Sequence, residues 1–302
     1  MKGLILSGGA GVRLRPVTHT SAKQLVPIAN TPILFYGIKR LVEAGVTQIG
    51  IIIGETGDEI RRAVGNGEKW GAKITYLPQE KPLGLAHCVL VAQEFLTDDD
   101  FIMYLGDNML EQDLSDIVSR FQHDRTSRPL SCRVLLKKVA DPQSFGVAIL
   151  DCEGSITELI EKPKNPPSDL ALVGVYLFTP AIHQAVATLK PSGRGELEIT
   201  DAIQKLINDG LAVDHEIIKG WWIDTGKKDS LLECNRLVLS TIVTSIDERA
   251  TVDSASTLSG AVQVGAQSTL TNCTITGPVV IGENVSISNC QVGPYASLGD
   301  GC

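Results

Sequence analysis

Over residues 1–242 the apolar positions fall into two alternating textures. Short, nearly continuous apolar runs at Gly3–Leu6, Ile49–Ile53, Ile74–Tyr76, Phe101–Leu105, Ser131–Leu136 and Val173–Phe178 read as strands of a sheet covered on both faces. Ile156–Ile160 reads as a further strand. Between these runs the spacing turns helical. Thr31-Pro32 opens one helix with proline at the first helical position; Ile33, Leu34, Ile38, Leu41 and Val42 share its inner face, and Gly45 closes it. Gly84–Phe95, Leu114–Phe121, Pro180–Leu189 and Ile199–Ile207 follow the same period. Strands alternating with helices predict an α/β fold, a doubly wound mixed sheet of Rossmann-like type, with ligands at the carboxyl ends of its strands.

Past Ser245 the helical period vanishes and apolar residues recur every six positions: Ile246, Val252, Leu258, Val264, Leu270. The phase slips near Thr276-Gly277 and resumes at Ile281, Ile287 and, after another slip, Leu298. Asn272-Cys273 returns as Asn289-Cys290, Gly277-Pro278 as Gly293-Pro294, and Gly282-Glu283 as Gly299-Asp300. Residues 246–302 thus resemble the hexapeptide repeat of left-handed parallel β-helices, whose stacked coils bury one another. Stacking places Cys273 beside Cys290, and two small buried thiols are the expectation there. The repeat stops at Gly299-Asp300-Gly301-Cys302 with no capping helix. A shortened chain and an end covered by another subunit both fit, and a homo-oligomer is expected.

Composition narrows the chemistry. At 302 residues the chain exceeds one comfortable core, which agrees with two domains. No apolar run approaches the ~20 residues of a membrane span, and Lys2-Gly3-Leu4-Ile5-Leu6 is too short for a leader. Seven cysteines, an odd number without a C-x-x-C pair, fit reduced thiols in the cytoplasm. A formal charge of −8 excludes a general nucleic-acid surface. Any anionic ligand must be held by a few local cations.

Those cations follow the first strand. Leu6-Ser7-Gly8-Gly9-Ala10-Gly11-Val12-Arg13-Leu14-Arg15-Pro16 is a glycine-rich loop whose backbone N–H groups can close around phosphate oxygens. It is no Walker A loop, lacking Gly-Lys-Ser/Thr, and no dinucleotide fingerprint, since Leu14 stands at the third glycine position. Arg13, Arg15 and Lys23 suit a triphosphate. Leu105-Gly106-Asp107-Asn108 sets a carboxylate at the end of an apolar strand, and Trp221-Trp222-Ile223-Asp224 sets a second after another apolar run. Two such carboxylates could share one Mg²⁺ with substrate phosphates. Glu161-Lys162-Pro163 offers a phosphate clamp, while Thr200 and Asp201 read as caps of the helix that follows.

In order along the chain, G-G-A-G-V-R-L-R-P, A-K-Q-L-V-P, Pro78-Gln79-Glu80-Lys81-Pro82-Leu83-Gly84, L-G-D-N, F-G-V, E-K-P, R-G-E-L-E-I-T-D and W-x-D-T-G resemble the segments of glucose-1-phosphate thymidylyltransferases. The tail resembles the long form of that family. Val12 departs from the usual threonine and leaves the backbone cradle intact. The resemblance implies a catalytic set of Arg13, Lys23, Lys162 and Asp107. It implies nucleotide contacts from Leu6, Gly8, Gly9, Gly11, Arg13, Gln79, Gly84 and Asp107, with Gln79 and Gly84 at the pyrimidine edge. Gly146, Glu161, Lys162, the backbone at Val173, Arg194 and Trp222 would surround the sugar phosphate, and Asp107 with Asp224 would hold Mg²⁺. The expected reaction joins glucose 1-phosphate to dTTP and releases pyrophosphate. The sugar phosphate is mostly a dianion at pH 7, its second pKa being about 6, and needs no general base.

Three rivals remain beside this reading. A UTP-using uridylyltransferase differs by one methyl on the base, worth about 1 kcal/mol. A non-catalytic nucleotide-sugar sensor would keep the fold but has no need of the whole charged set. An acyltransferase, suggested by the repeat, would want a histidine between coils, yet His19, His87, His123, His183 and His215 all lie outside it.

Overall fold

The computed structural model describes residues 1–9, 11, 14–16, 18 and 22–302. In chain order the first strands are β1 (Lys2–Ser7), the short β2 (Pro27–Ile28) and β3 (Thr31–Pro32), β4 (Gln48–Ile53), β5 (Lys73–Pro78), β6 (Phe101–Leu105) and β7 (Asn108–Leu110). They continue with β8 (Leu130–Lys138), β9 (Gly146–Leu150), β10 (Ile156–Glu161), β11 (Leu170–Phe178), β12 (Ala212–Ile217) and β13 (Trp222–Asp224). The helices are α1 (Ile33–Glu43), α2 (Gly57–Val64), α3 (Leu85–Val91), α4 (Gln93–Leu96), α5 (Ser115–Ser127), α6 (Ala181–Ala187), α7 (Ile199–Asn208) and α8 (Lys228–Leu239).

Two compact units emerge. The first comprises Met1–Leu25 and Leu34–Asp224. Its nine-stranded sheet runs β10-β9-β11-β6-β1-β4-β5, with β8 joined to β11 and β12 to β8. The run β6, β1, β4 and β5 is parallel, and β11 lies antiparallel to β6. The sheet is therefore mixed, as expected. Central strands are buried throughout: Leu4, Ile5, Ile51, Ile52, Ile102 and Met103 are all 0 % exposed. Side chains alternate into two cores, one containing Leu4, Leu6 and Met103, the other Ile5, Ile51 and Tyr104. Each core is roofed by helices. From β1 the chain adds β4 and β5 on one side, then returns to place β6 on the other. That reversal opens a crevice at the carboxyl ends of β1 and β6.

The second unit comprises Val26–Ile33 and Thr225–Cys302. Ten short strands follow α8: β14 (Ser245–Ile246), β15 (Thr251–Val252), β16 (Thr257–Ser259), β17 (Val262–Val264), β18 (Thr269–Thr271), β19 (Thr274–Thr276), β20 (Val279–Ile281), β21 (Ser286–Ser288), β22 (Gln291–Val292) and β23 (Ala296–Leu298). They stack in parallel as three faces, β14-β17-β20-β23, β15-β18-β21 and β16-β19-β22. Ser245 pairs with Gln263, eighteen residues on, whereas Val262 pairs with Val279 and Val279 with Ala296, each seventeen on; one coil is therefore about three hexads, and each sequence slip shortens a coil by one residue. Val264, Leu270, Ile275, Ile281 and Ile287 fill the coil interior. Asn272 and Asn289 occupy equivalent corners, both at φ +51°, and the first donates its amide to the second at 2.8 Å. Asn235 of α8 accepts from Ala29 N at 2.9 Å and Ser297 Oγ at 3.1 Å, tying the β2–β3 hairpin to the coils.

Four expectations need correction. Thr31-Pro32 does not start a helix; it pairs with Pro27-Ile28, and α1 begins at Ile33. Gly84–Phe95 is not one helix but α3 and α4, meeting at Ala92. Thr200 caps nothing: it is buried inside α7 and its hydroxyl bonds Glu161 Oε2 at 3.3 Å. Cys273 is buried but Cys290 is exposed.

Candidate active site

Two adjoining cavities of the first unit, of about 390 and 130 Å³, open at the carboxyl ends of β1 and β6. The larger is lined by Leu6, Gly8 and Gly9 after β1, by Lys23, by Gln79 and Gly84 after β5, and by Asp107 after β6. Glu161, Lys162, Arg194 and Asp224 complete the wall. Gly146, Val173 and Trp222 line the smaller cavity, which shares Glu161, Lys162 and Asp224. Gly11, at φ +63°, lines neither; its carbonyl accepts from Thr18 Oγ1 at 2.7 Å and from Leu14 N at 3.0 Å. Arg13, like Ala10 and Val12, lies outside the described residues.

The two carboxylates are brought together by two three-residue strands. Antiparallel β7 and β13 put Asp224 opposite Asn108, so Asp224 stands beside Asp107 although 117 positions separate them in sequence. Asn108 is the pivot: Trp222 Nε1 donates to its Oδ1 at 2.7 Å, and its Nδ2 reaches Asp107 Oδ1 at 3.4 Å. Its own carbonyl accepts the buried Tyr104 hydroxyl at 2.8 Å. Lys23 pairs with Asp107 directly. Sequence reasoning quoted Asn108 within a motif but gave it no role, since nothing in L-G-D-N announces a three-residue ladder.

Around Glu161 the wall is a charge network. Arg194 contacts Glu161 at 3.2 Å, Glu196 at 3.2 Å and Glu198 at 3.8 Å, and Lys162 reaches Glu161 at 3.4 Å. Burial works against the Arg194 charge, but Glu198, Glu196 and Glu161 outweigh it and raise its pKa. Burial pushes the Glu198 carboxyl up. Lys162 sits at φ +43°, a conformation that non-glycine residues adopt only under constraint. The constraint is visible in the bond from Lys162 N to Phe145 O, 3.1 Å. Phe145 packs on the Trp222 ring, with centroids 5.0 Å apart.

Val173 reaches the cavity through a break in the sheet. Between Leu172 and Tyr176 the register of β11 against β8 shifts, and Gly174 takes φ +81°. Such a bulge turns backbone groups out of the ladder. Gly84 is equally specific. At φ +105°, a Cβ there would meet Leu197 O at 2.4 Å. Buried Gln24 also lines the larger cavity, with its Oε1 unpartnered; sequence reasoning quoted it and passed it over.

Among the described residues, the larger cavity carries Lys23, Lys162 and Arg194 against Asp107, Asp224, Glu161, Glu196 and Glu198. A polyanion entering this lining meets too little positive charge. Asp107 and Asp224 are hard oxygen donors, and no cluster of three or more metal-ligating side chains occurs among the described residues. Two carboxylates with room for substrate oxygens fit Mg²⁺, which keeps waters and substrate phosphates rather than a full protein cage.

Comparison with known proteins agrees with this architecture. The nucleotidyl transferase family profile matches residues 2–241. A glucose-1-phosphate thymidylyltransferase of Streptomyces antibioticus is 52 % identical over 302 residues, all of this chain and 83 % of that one. A UTP–glucose-1-phosphate uridylyltransferase of Haloferax volcanii is 37 % identical over 75 % of this chain and 91 % of its own. A crystal structure from Bacillus anthracis, assigned as a glucose-1-phosphate thymidylyltransferase and complexed with sucrose, superposes with a TM-score of 0.73 at 36 % identity, covering 78 % of this chain and 94 % of that one. The chain belongs to the nucleotidyl transferase family and, within it, to the glucose-1-phosphate thymidylyltransferases.

Proposed function

We propose that this enzyme transfers a thymidylyl group from dTTP to glucose 1-phosphate, giving dTDP-glucose and pyrophosphate. The observation that carries the proposal is the convergence of Asp107 and Asp224 across β7 and β13, between a wall bearing Gln79 and Gly84 and a wall bearing Glu161 and Lys162. The first wall suits a base, the second a phosphorylated sugar. Asp107 and Asp224 would hold Mg²⁺, which when bound offsets the charge of the triphosphate and of the departing pyrophosphate.

The remaining work falls to the chain's own residues. The backbone of Gly8 and Gly9, which line the larger cavity, cradles the phosphates, with Gly11 and Arg13 carried over from the sequence motif. Lys23, paired with Asp107, is placed to exchange that partner for a phosphate oxygen. Lys162 and Arg194 hold the sugar phosphate, while Glu161, Gly146 and the Val173 backbone take sugar hydroxyls and Trp222 closes the pocket. Holding the attacking dianion in line with the α-phosphorus supplies most of the acceleration. Among the described residues no helix is long and apolar enough to cross a membrane, and no disulfide joins any two of the seven cysteines. Both are consistent with work in the cytoplasm, where nucleoside triphosphates are plentiful.

The Haloferax relative keeps UTP as a second reading, because thymine and uracil share their hydrogen-bonding edge. Pyrophosphate release is measured with dTTP, UTP, dCTP and purine triphosphates, each with glucose 1-phosphate and Mg²⁺. Release is expected with dTTP, abolished by EDTA and reduced by orders of magnitude in a folded Asp107→Asn variant. Nucleotide binding without release from any pair would overturn the transferase and favour a sensor.

A further inference from the structure

Among the described residues β10 ends the sheet, so one edge of its backbone has no strand beside it. Two side chains of α7 reach that edge. Gln204 Oε1 accepts from Leu159 N at 2.8 Å, and Thr200 Oγ1 lies 3.3 Å from Glu161 Oε2. Four helical residues rise about 6 Å and two strand residues about 6.6 Å, so both bonds form at one register. An edge-strand N–H is thereby satisfied, and the last residue of β10 is fixed against the first turn of α7.

The two oxygens of Glu161 are held differently. Oε1 takes Arg194 Nη1 at 3.2 Å and Lys162 Nζ at 3.4 Å, whereas Oε2 takes the Thr200 hydroxyl. A carboxylate between two cations has lone pairs and no hydrogen to give, so the hydroxyl donates. Its direction is set by packing. Thr200 is buried, and its methyl lies 2.8 Å from the point where a Cβ on Gly146 would stand, so the methyl is seated against the Gly146 backbone. Branching at Cβ leaves χ1 few alternatives once the methyl is placed. The hydroxyl then faces Glu161.

We infer that Thr200 is a positioning residue that keeps the Glu161 carboxylate aimed at the sugar hydroxyls when an arriving phosphate draws Arg194 and Lys162 away from it. The two cationic side chains are 40 % and 45 % exposed and have room to turn toward a phosphate. Thr200 is held inside α7 and keeps its place. It lines neither cavity, so it acts through Glu161. Without the hydroxyl, a Glu161 that had given up both cations would have none of these three donors left and would be free to swing. The inference rests on the sugar wall proposed above and names what holds the carboxylate of that wall.

The test is calorimetric binding of glucose 1-phosphate, inorganic phosphate and dTTP with Mg²⁺ to the wild type, Thr200→Val, Thr200→Ser, Glu161→Ala and the Thr200→Val/Glu161→Ala double variant, with a thermal melt of each. Valine keeps the shape and removes the donor; serine keeps the donor. Loss of one hydrogen bond to a charged group corresponds to about a tenfold change in affinity. Thr200→Val is expected to bind glucose 1-phosphate about tenfold more weakly, with inorganic phosphate and dTTP unchanged, and Thr200→Ser to recover most of the loss. In steady state KM for glucose 1-phosphate should rise while kcat changes little. In the Glu161→Ala background the valine should cost nothing more, since the two residues act as one. A folded Thr200→Val variant with wild-type affinity for glucose 1-phosphate overturns the inference. So does equal weakening of inorganic phosphate or dTTP, or a full additional loss in the double variant. The expected binding pattern without any pyrophosphate release would sink the transferase reading and leave the role of Thr200 standing.

Discussion

The site's stability and its metal dependence hang on one buried hydroxyl, and Tyr104→Phe removes it. Tyr104 is 1 % exposed and donates to Asn108 O at 2.8 Å. The geometry of the β7–β13 ladder explains why that carbonyl needs a donor. Glu111 N bonds Trp221 O at 3.0 Å, placing these two residues at a hydrogen-bonded position of the ladder, while Trp221 N donates to the Glu111 carboxylate at 3.0 Å. In an antiparallel ladder such pairs alternate with non-bonded ones, and three steps back the pair Asn108–Asp224 is non-bonded. The Asn108 carbonyl therefore points away from β13, toward Tyr104. Phenylalanine keeps the ring and its packing but leaves a buried carbonyl without this donor, a cost of about 1–3 kcal/mol. In the folding equilibrium that is about 5- to 150-fold. Trp70, Trp221 and Trp222 all belong to the same unit, so urea denaturation followed by tryptophan fluorescence reads it directly. The midpoint should fall at constant slope. Because Asn108 also steadies Asp107 and Trp222, the Mg²⁺ concentration for half-maximal activity should rise by about tenfold, the low end for loss of an outer partner at a metal site. An unchanged urea midpoint together with unchanged Mg²⁺ dependence would refute the reasoning.

Three further outcomes are expected. Lys162→Ala should raise KM for glucose 1-phosphate with little change in nucleotide affinity, and a selective loss of dTTP binding in calorimetry would contradict its placement at the sugar phosphate. Gly84→Ala forces a Cβ within 2.4 Å of Leu197 O at φ +105°, so both strain and overlap apply; a loss of about 1–3 kcal/mol is expected, and a melt equal to wild type would show that the loop can yield. His183 stacks on Phe101 with both ring nitrogens buried, and burial lowers its pKa, with Asp98 and the Thr97 backbone opposing. Folding therefore favours the neutral ring: its contribution is whole above the unfolded pKa of about 6.5 and is lost as pH falls through that value toward the lower folded one. The melting temperature of the wild type should drop between pH 7 and 5 more than that of His183→Phe, and parallel pH profiles would rule this out.

Sequence reasoning reached the elements whose signal is local. β1, β4 and β6 are buried on both faces and so are apolar almost without interruption, and the six-residue period follows from three-faced coils whose inward positions recur at that spacing. It failed where the signal is not local. α2 reads Gly57-Asp58-Glu59-Ile60-Arg61-Arg62-Ala63-Val64 and buries little beyond Ile60 and Val64, too few positions to show a period. β12 is half polar, Ala212-Val213-Asp214-His215-Glu216-Ile217, because it is an outer strand; Arg128 and Arg133 engage its Asp214, holding that carboxyl below its ordinary pKa against the effect of burial. β7 and β13 are three residues each and exist only as partners of one another. The candidate residues themselves were legible because chemistry constrains their type. That Asp107 and Asp224 share a wall was not legible from spacing, since a ladder between distant segments supplies it.

The two walls of the cavity are also joined in a way that no motif announces. Leu197 N bonds Leu83 O at 2.8 Å, and Ala86 N bonds Leu197 O at 3.0 Å. One residue thus straddles Gly84, and the absence of a side chain there is what lets the two backbones meet. Leu197 lies between Glu196 and Glu198, three positions after Arg194, and those three neighbours line the larger cavity on the wall proposed for the sugar phosphate. Gly84 lies on the wall proposed for the base and begins the segment that carries His87 and Cys88. If the base and the sugar phosphate bind where proposed, a shift of α3 on one side would pull on the segment that holds Arg194, and the reverse would hold if Arg194 exchanged its carboxylates for a phosphate. Coupling of this kind is reciprocal by thermodynamic necessity. Nucleotide and sugar phosphate should then bind with interdependent affinities in the wild type, through two backbone hydrogen bonds rather than through contact between the ligands alone.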